Sequence, residues 1–563
     1  MKTREGLNLL AKSHGVQTSY VDMTGRTRHA SLEALMAVLR ALGAPVSSLR
    51  KDGSRSFRRA KRGEISGLKR DFSASPRNDG KWSHYRKDDS VPAIRTPRTC
   101  FGAGDRKRSW GLFLPLYALW SERNPGAGDL TDLKNFARWA GGLGAAWVGT
   151  LPLLSQFLDK PFDPSPYSPA SRLFWSEFWL DLGEIKGLPR GRQVDYRRQM
   201  RLKREILEKR AARWLPPAAW LREHPETLEY ARFRAAAEQR GAWRRWPDRM
   251  RRGDLRAGEI SERIARVHLY GQWLAGRQMG DLRRAAAAAG TGLYFDLPLG
   301  VHPDGYDAWK EQDLFVEGAT VGAPPDPFFS GGQNWGFHPI HPERIRQQGY
   351  GYWRRCLAHS MRFASMLRLD HVMGLHRLFW IPKGFPASEG VYVRYHSEEW
   401  YAVLAQESRR NRCAVVGEDL GIVPPEVCRA MRRHRLSGMF VVQYEWRPDS
   451  RRPFRAPPRR SVACLNTHDM PPFAAFWRKR KRAGGAGAVE TARALLRRLA
   501  AGPVRDLQVN PEDLWGETRP HNRPGTVGKA NWRRKALVSL EQMRSMKEMT
   551  RFFKEIKQLR ARS

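Results

Sequence analysis

The sequence predicts an α/β protein: a (β/α)8 (TIM) barrel with a large helical insertion after strand 2 and a small helical N-terminal unit. Three observations carry this. Eight short apolar runs recur from Trp110 onward, separated by charged stretches of helical periodicity. The runs are continuously apolar rather than alternating, the pattern of strands covered on both faces in a parallel sheet. One gap between runs, residues 154–290, is far longer than the rest and carries helical periodicity of its own.

The elements follow in chain order. Residues 1–45 read as the small helical unit. In SLEALMAVLRALG the apolar residues fall at helical spacing, Ser31 stands where an N-cap belongs, and Gly43 stops the helix. Residues 46–99 change texture to Ser, Arg, Lys, Gly and Pro with little periodicity, and read as a basic linker or extension. A catalytic barrel is expected over 100–545. Its strands lie in WGLFLPLY (110–117), AWVGTLPL (146–153), LYFDLPLG (293–300), MLRLDHV (366–372), AVVGEDLG (414–421), MFVVQYEW (439–446), SVACLNTHD (461–469) and PVRDLQVN (503–510). The inserted helical subdomain, about 154–290, includes MRLKREILEKRAARWL and ERIARVHLYGQWLAGRQMGDLRRAAAAAG. Residues 546–563 read as a basic C-terminal helix or tail.

Composition narrows the function classes. No apolar window is long enough to span a bilayer, and the N-terminus MKTREGLNLLAKSHG lacks the apolar core of a signal peptide. Five scattered cysteines without a Cys-x-x-Cys pair fit free thiols in a reducing cytoplasm better than a zinc site or disulfide framework. The net charge of +43 invites a nucleic-acid or anionic-surface partner. That charge is concentrated, however: residues 50–98 hold 15 Lys or Arg against 6 Asp or Glu, and residues 186–252 hold 20 against 8. No zinc-finger spacing, RNP-like motif or phosphate loop accompanies it, so neither a specific nucleic-acid partner nor a membrane is expected.

The ends of the runs point to chemistry. Four of them carry an acidic residue at or near the carboxyl end: Asp296, Asp370, Glu418 and Asp469. In a barrel those ends open on one face, where active sites sit. Taken singly, Glu418, Asp419 or Asp469 could cap a helix. Taken together, close carboxylates repel one another at a cost that capping does not explain. No His and carboxylate spacing suggests a metal, and no cofactor is implied. Cleavage of a glycosidic bond, in contrast, needs one ionised and one protonated carboxyl. Arg368 lies two residues before Asp370 and so shares its strand face, where the cation favours an ionised Asp370. Glu418 adjoins Asp419, whose charge is expected to raise its pKa. His371 and His468 flank these acids as donors to sugar hydroxyls.

At these residues the chain resembles a known family. RLDHVMGLHRLFWIP (368–382), VVGEDLGIVPPEV (415–427) and LNTHDMPPFAAFW (465–477) are similar to the signature blocks of the 4-alpha-glucanotransferases of glycoside hydrolase family 77. Further blocks agree in order at 108–133, 165–175, 293–301, 322–340 and 514–535. Across about residues 100–540 the resemblance implies a retaining transferase that passes an α-1,4-glucan segment to the 4-hydroxyl of another sugar. It places the nucleophile on Asp370, the acid/base on Glu418 and a transition-state stabiliser on Asp469. It places substrate contacts on Ser165, Tyr167, Asp296, Gln333, Trp335, Arg368, His371, His468 and Asn522. It also implies an acceptor groove under the loop GAPPDPFFSGGQNWG, where Phe328 and Trp335 hold a second glucan. In this chain the Pro-Pro-Asp block continues Pro327-Phe328-Phe329, where many relatives place an aromatic directly after the Asp. The rival readings are an α-glucan hydrolase on the same fold and a nucleic-acid or anionic-surface binder inferred from charge alone.

Overall fold

Each of the eight apolar runs contributes one strand to a single parallel sheet. The computed structural model describes residues 2–46, 99–102, 107–327, 329–447, 453–480, 487–526 and 530–561. The strands are β1 (Ser109–Phe113), β2 (Trp147–Gly149), β3 (Gly292–Leu297), β4 (Met366–Leu369), β5 (Ala414–Gly417), β6 (Gly438–Val441), β7 (Ser461–Cys464) and β8 (Asp506–Val509). Their lateral order is β5-β4-β3-β2-β1-β8-β7-β6, every pair parallel. A parallel bridge between Val416 and Ser437 joins β5 to the start of β6 and closes the ring. Gly417 N–H donates to the Ser437 carbonyl (2.8 Å) and Ser437 N–H to the Val415 carbonyl (3.0 Å). The (β/α)8 expectation holds.

The barrel interior explains why these runs are so apolar. Trp147, Tyr294, Met366, Val416 and Val462 project inward from five strands and form one buried cluster, a packed core rather than a pore. Trp147 meets Tyr294 edge-on, centroids 5.1 Å apart. This indole occupies space that a side chain on β1 would need: a Cβ on Gly111 would lie 2.2 Å from the Trp147 ring.

Helices separate most successive strands. Leu130–Gly142 follows β1 and is held at its start by a reciprocal capping box between Asp129 and Asp132. Gly351–Met361, Ser397–Arg410, Pro425–His434 and Ala488–Ala501 precede β4, β5, β6 and β8. The C-terminal stretch forms the helix Lys547–Ala561, which buries Met549, Phe552, Phe553 and Ile556. Phe553 stacks on Trp110 of β1 at 5.5 Å.

The insertion between β2 and β3 is mostly helical, with Tyr196–Ala212, Ala218–Glu223, Pro225–Arg240 and Glu262–Ala288. It does not begin with helix. Leu154–Ser155 pairs with Ser171–Trp175 and Phe157–Leu158 with Phe162–Asp163, both antiparallel. These two- to five-residue strands are too short to show periodicity in the sequence, and the loop they frame carries Ser165 and Tyr167.

The chain divides into two compact units. The barrel and its insertion belong to one, made of Pro97–Gln312, Tyr352–Gly374 and Glu399–Ser563. The other combines Met1–Thr96 with Asp313–Gly351 and Leu375–Glu398. The N-terminal part of this unit is helical as expected, with a short hairpin added. Helices Lys2–Ser13 and Leu32–Ala41 flank a hairpin of Ser19–Val21 and Thr27–His29. Asp22 makes its turn, accepting from the N–H groups of Thr24 (2.9 Å) and Arg26 (3.0 Å), with Gly25 at φ 79°. Ser31 caps the second helix as expected, accepting from Ala34 N–H. The same unit holds a four-stranded antiparallel sheet of Gln333–Asn334, Ala319–Ala323, Arg377–Pro382 and Val391–Arg394 in that order. Tyr20 packs edge-on against Phe379 and Tyr392 of this sheet. The linker expected over 46–99 lies almost wholly outside the described residues, as does Phe328.

Candidate active site

Strand register brings the acidic residues together. Arg368 on β4 pairs laterally with Asp296 on β3, so the two side chains emerge side by side. Arg368 Nη1 donates to both Asp296 oxygens at 2.8 Å and to Asp370 Oδ1 at 3.0 Å. One buried guanidinium thus holds two carboxylates. On the other flank of β4, Leu369 pairs with Gly417 of β5. Asp370 and Glu418 are the next residue on each of these adjacent strands, which run about 4.8 Å apart.

Glu418 is buried. Its Oε2 accepts from His371 N–H (2.9 Å) and its Oε1 from Leu420 N–H (2.8 Å). His371 reaches this position in the left-handed region, φ 47°, and donates to Glu418 from its backbone. Burial raises the Glu418 pKa to about 7. Arg368 opposes the rise and the Asp370 charge adds to it. The expectation that Asp419 would do this is corrected. Successive residues point to opposite faces, and Asp419 Oδ1 turns away to accept from Met439 N–H at 2.7 Å.

Burial also raises Asp370, to about 6. Arg368 pulls it down, while Asp296 and Asp469 push it up. The sequence expectation of a plainly ionised Asp370 omitted those carboxylates. Asp469 lies beyond β7 and is exposed; partial loss of water raises it, but His468 and Asn522 outweigh that and hold it at about 2. His468 Nε2 is 3.0 Å from Asp469 Oδ2, and Asn522 donates to Oδ1 at 2.7 Å. Asp469 is thus held strongly acidic, while burial pushes both Asp370 and Glu418 up toward neutrality.

Aromatic rings border this cluster. Tyr167 donates to Asp296 Oδ2 (2.6 Å) and stacks on His468 at 5.1 Å. Ser165 supports it, its Oγ accepting from Tyr167 N–H (3.3 Å) while its own N–H donates to Asp163. Trp532 packs against both Tyr167 (5.6 Å) and His468 (5.9 Å). Trp532 was not picked out from the sequence, although it lies inside the block 514–535. Gln333 and Trp335 belong to the other unit, Gln333 in the edge strand of its four-stranded sheet and Trp335 just after that strand. Gln333 pairs with Ala323, and Trp335 stacks with Phe337 at 6.2 Å. Among the described residues no group of three or more His, Cys, Asp or Glu is arranged to hold a metal ion.

A (β/α)8 barrel with Asp370 and Glu418 side by side at adjacent strand ends fits a class of enzymes, those that break and remake glycosidic bonds. Comparison with known proteins narrows it. A family profile described as 4-alpha-glucanotransferase matches residues 114–539. The 4-alpha-glucanotransferase of Mycobacterium bovis is 33% identical over 515 residues, covering 76% of this chain and 71% of that protein. That of Haemophilus influenzae is 30% identical, covering 69% of this chain and 63% of that protein. The crystal structure of amylomaltase from Corynebacterium glutamicum shares the fold with TM-score 0.82 at 22% identity, covering 98% of this chain and 99% of that one. The chain belongs to the 4-alpha-glucanotransferase family, glycoside hydrolase family 77.

Proposed function

We propose that this chain transfers α-1,4-glucan segments by a retaining double displacement, with Asp370 as nucleophile and Glu418 as acid/base. The observation that supports this best is the placement of Asp370 and Glu418 one residue past a paired position on adjacent strands. That spacing suits the ~5–5.5 Å carboxyl separation of retaining enzymes. Their surroundings support the same assignment: burial raises Glu418 to about 7, so it can hold a proton, while the Arg368 cation draws Asp370 toward its charged form.

In the first step an Asp370 oxygen attacks the anomeric carbon as the glycosidic C–O bond breaks. Glu418 gives its proton to the departing 4-oxygen, and a glycosyl ester remains. In the second step Glu418, now ionised, takes the proton from an acceptor 4-hydroxyl, whose oxygen displaces Asp370. Asp469, strongly ionised, faces the positive charge that develops on the sugar ring. Arg368, Asp296, Tyr167, His371, His468 and Asn522 are proposed as groups that orient the donor glucose. Gln333, Trp335 and Phe328 are proposed as glucan contacts on the strength of the family's block at 322–340.

The substrates proposed are α-1,4-glucans and maltooligosaccharides. A cytoplasmic setting is proposed from the five free cysteines; among the described residues no helix is long and apolar enough to cross a membrane. The direct test is mass spectrometry of the protein after a 5-fluoro maltosyl fluoride, whose ester turns over slowly. A maltosyl adduct on the peptide bearing Asp370 is expected; an adduct on another carboxyl, or none, overturns the assignment.

A further inference from the structure

Behind Asp469 lies a buried polar network that the reaction scheme does not use. Glu512, Glu517, His521 and Arg534 are each at most 6% exposed. Arg534 donates to Glu512 Oε1 (2.6 Å) and Oε2 (2.9 Å) and to Glu517 Oε2 (3.2 Å). His521 Nε2 is 2.8 Å from Glu512 Oε2, and its Nδ1 is 2.7 Å from the Tyr117 hydroxyl. This surrounds both nitrogens of one imidazole and both oxygens of one carboxylate; Glu517, His521 and Arg534 come from the stretch between Trp515 and Ser539, whose described residues form neither helix nor strand.

That stretch carries two groups into the site. Asn522, next to His521, donates to Asp469. Trp532 packs on His468 and Tyr167 from a backbone at φ 62°, a conformation costly for a bulky side chain. Such a conformation persists only where its surroundings over-determine it. Here Trp532 N–H donates to the His521 carbonyl (2.8 Å), and the Trp532 carbonyl accepts from the Tyr196 hydroxyl (2.6 Å). His521 therefore joins both deliveries: its neighbour holds Asp469 and its carbonyl holds Trp532.

We infer that His521, fixed by Glu512, Arg534 and Tyr117, is a positioning residue that sets the orientation of Asp469 through Asn522. The inference rests on the role proposed for Asp469. It predicts a particular kinetic signature. Misplacing Asp469 weakens stabilisation of the developing sugar cation, which every donor passes through, whereas a failure of acid catalysis spares donors that leave without a proton.

The test is a double-mutant cycle between His521→Ala and Asn522→Ala, read with maltotriose and with maltosyl fluoride. His521→Ala is expected to lower kcat about 10- to 100-fold on both donors, the scale of a small displacement of a catalytic group, with KM little moved. In the Asn522→Ala background the same change should cost less than about 2-fold, because the route to Asp469 is already cut. Full multiplicative losses in both backgrounds, or a wild-type kcat for His521→Ala, overturn the inference. Should His521→Ala not fold, Tyr117→Phe keeps the ring and removes one bond to the imidazole. It should show the same non-additivity with Asn522→Ala, and additivity there is equally fatal. Asp469→Asn, measured alongside, separates the two readings. If it retains wild-type kcat, the role of Asp469 falls and the inference with it. If it loses activity while His521→Ala does not, the positioning role alone is rejected.

Discussion

Arg368 and Asp370 are joined by a 3.0 Å charge-assisted bond between residues two apart on one strand. The same Arg368 nitrogen holds Asp296, so Asp370 is oriented by a group that is itself fixed. The nucleophilic role proposed for Asp370 requires a carboxylate that stays on one face of a sugar without rotating away, and this arrangement supplies that restraint.

Replacing Asp370 by Asn should lower transfer by a factor of ~10³ or more, since the amide cannot form the glycosyl ester. The thermal transition should change little, because Asn keeps an oxygen toward Arg368 and removes a carboxylate that Asp296 and Asp469 repel. The two measurements belong together: initial rate on maltotriose and a melting curve. Retention of more than a tenth of the activity would falsify the assignment.

Glu418→Gln should separate two kinds of donor. Maltooligosaccharides depart as alkoxides unless protonated, whereas fluoride leaves without a proton. The variant should be slowed far more on maltotriose than in the first step with maltosyl fluoride. Comparable losses on both donors reject Glu418 as the acid.

The pH profile of kcat/KM follows from the same two groups. Asp370 must be ionised, which holds above about 6. Glu418 must be protonated, which holds below about 7. The optimum should be narrow and lie between these values, falling on the acid side as Asp370 gains its proton and on the alkaline side as Glu418 loses its own. With Glu418→Gln and maltosyl fluoride, the alkaline limb should vanish and the acid limb remain.

The barrel interior gives a prediction about stability. A methyl group on Gly111 would lie 2.2 Å from the Trp147 ring and 2.4 Å from its carbonyl oxygen. Neither can yield easily in a strand pair that registers Gly111 opposite Trp147. Gly111→Ala should therefore cost at least the ~1–3 kcal/mol typical of overpacking, read as a lowered melting temperature. An unchanged transition would mean that the indole does not fill this space.

How much of this was legible in the sequence depends on what each element buries. Strands of the barrel are covered on both faces, so AVVG and SVAC stand out as unbroken apolar runs, and all eight runs proved to contain strands. The four-stranded sheet of the smaller unit escaped notice because its strands include Gly322 and Asn334 and come from separate stretches of chain. That Asp370 and Glu418 stand at strand ends, close to one another, could be read from position alone. The error over Asp419 came from reading adjacency in sequence as adjacency in space. Trp532 and His521 were missed for a different reason: their place depends on bonds to Tyr196 and Tyr117, more than 300 residues away.

The reaction itself offers the last test. In the proposed scheme, transfer and hydrolysis share the first step and the same three carboxyls, and they diverge only in what attacks the ester at Asp370. Given maltotriose alone, the enzyme should produce free glucose and a ladder of maltooligosaccharides longer than the substrate. Release of glucose would leave a maltosyl ester, and a second maltotriose accepting it through its 4-hydroxyl yields a five-glucose chain. Each cycle consumes two reducing ends and returns two, so their total should stay constant. Water as acceptor would add one reducing end per turnover and give only chains shorter than three. An acceptor held over the ester competes with water through its effective concentration, which for a well-placed reactant far exceeds any bulk value. Asp469 and Glu418 serve either acceptor equally, so Trp335→Ala gives the sharper comparison. If Trp335 holds the acceptor glucan, the variant should shift product from the long ladder toward reducing ends while leaving the first step with maltosyl fluoride near its normal rate. A steady rise in reducing ends from the unaltered enzyme, with no product longer than maltotriose, would instead identify a hydrolase on this fold.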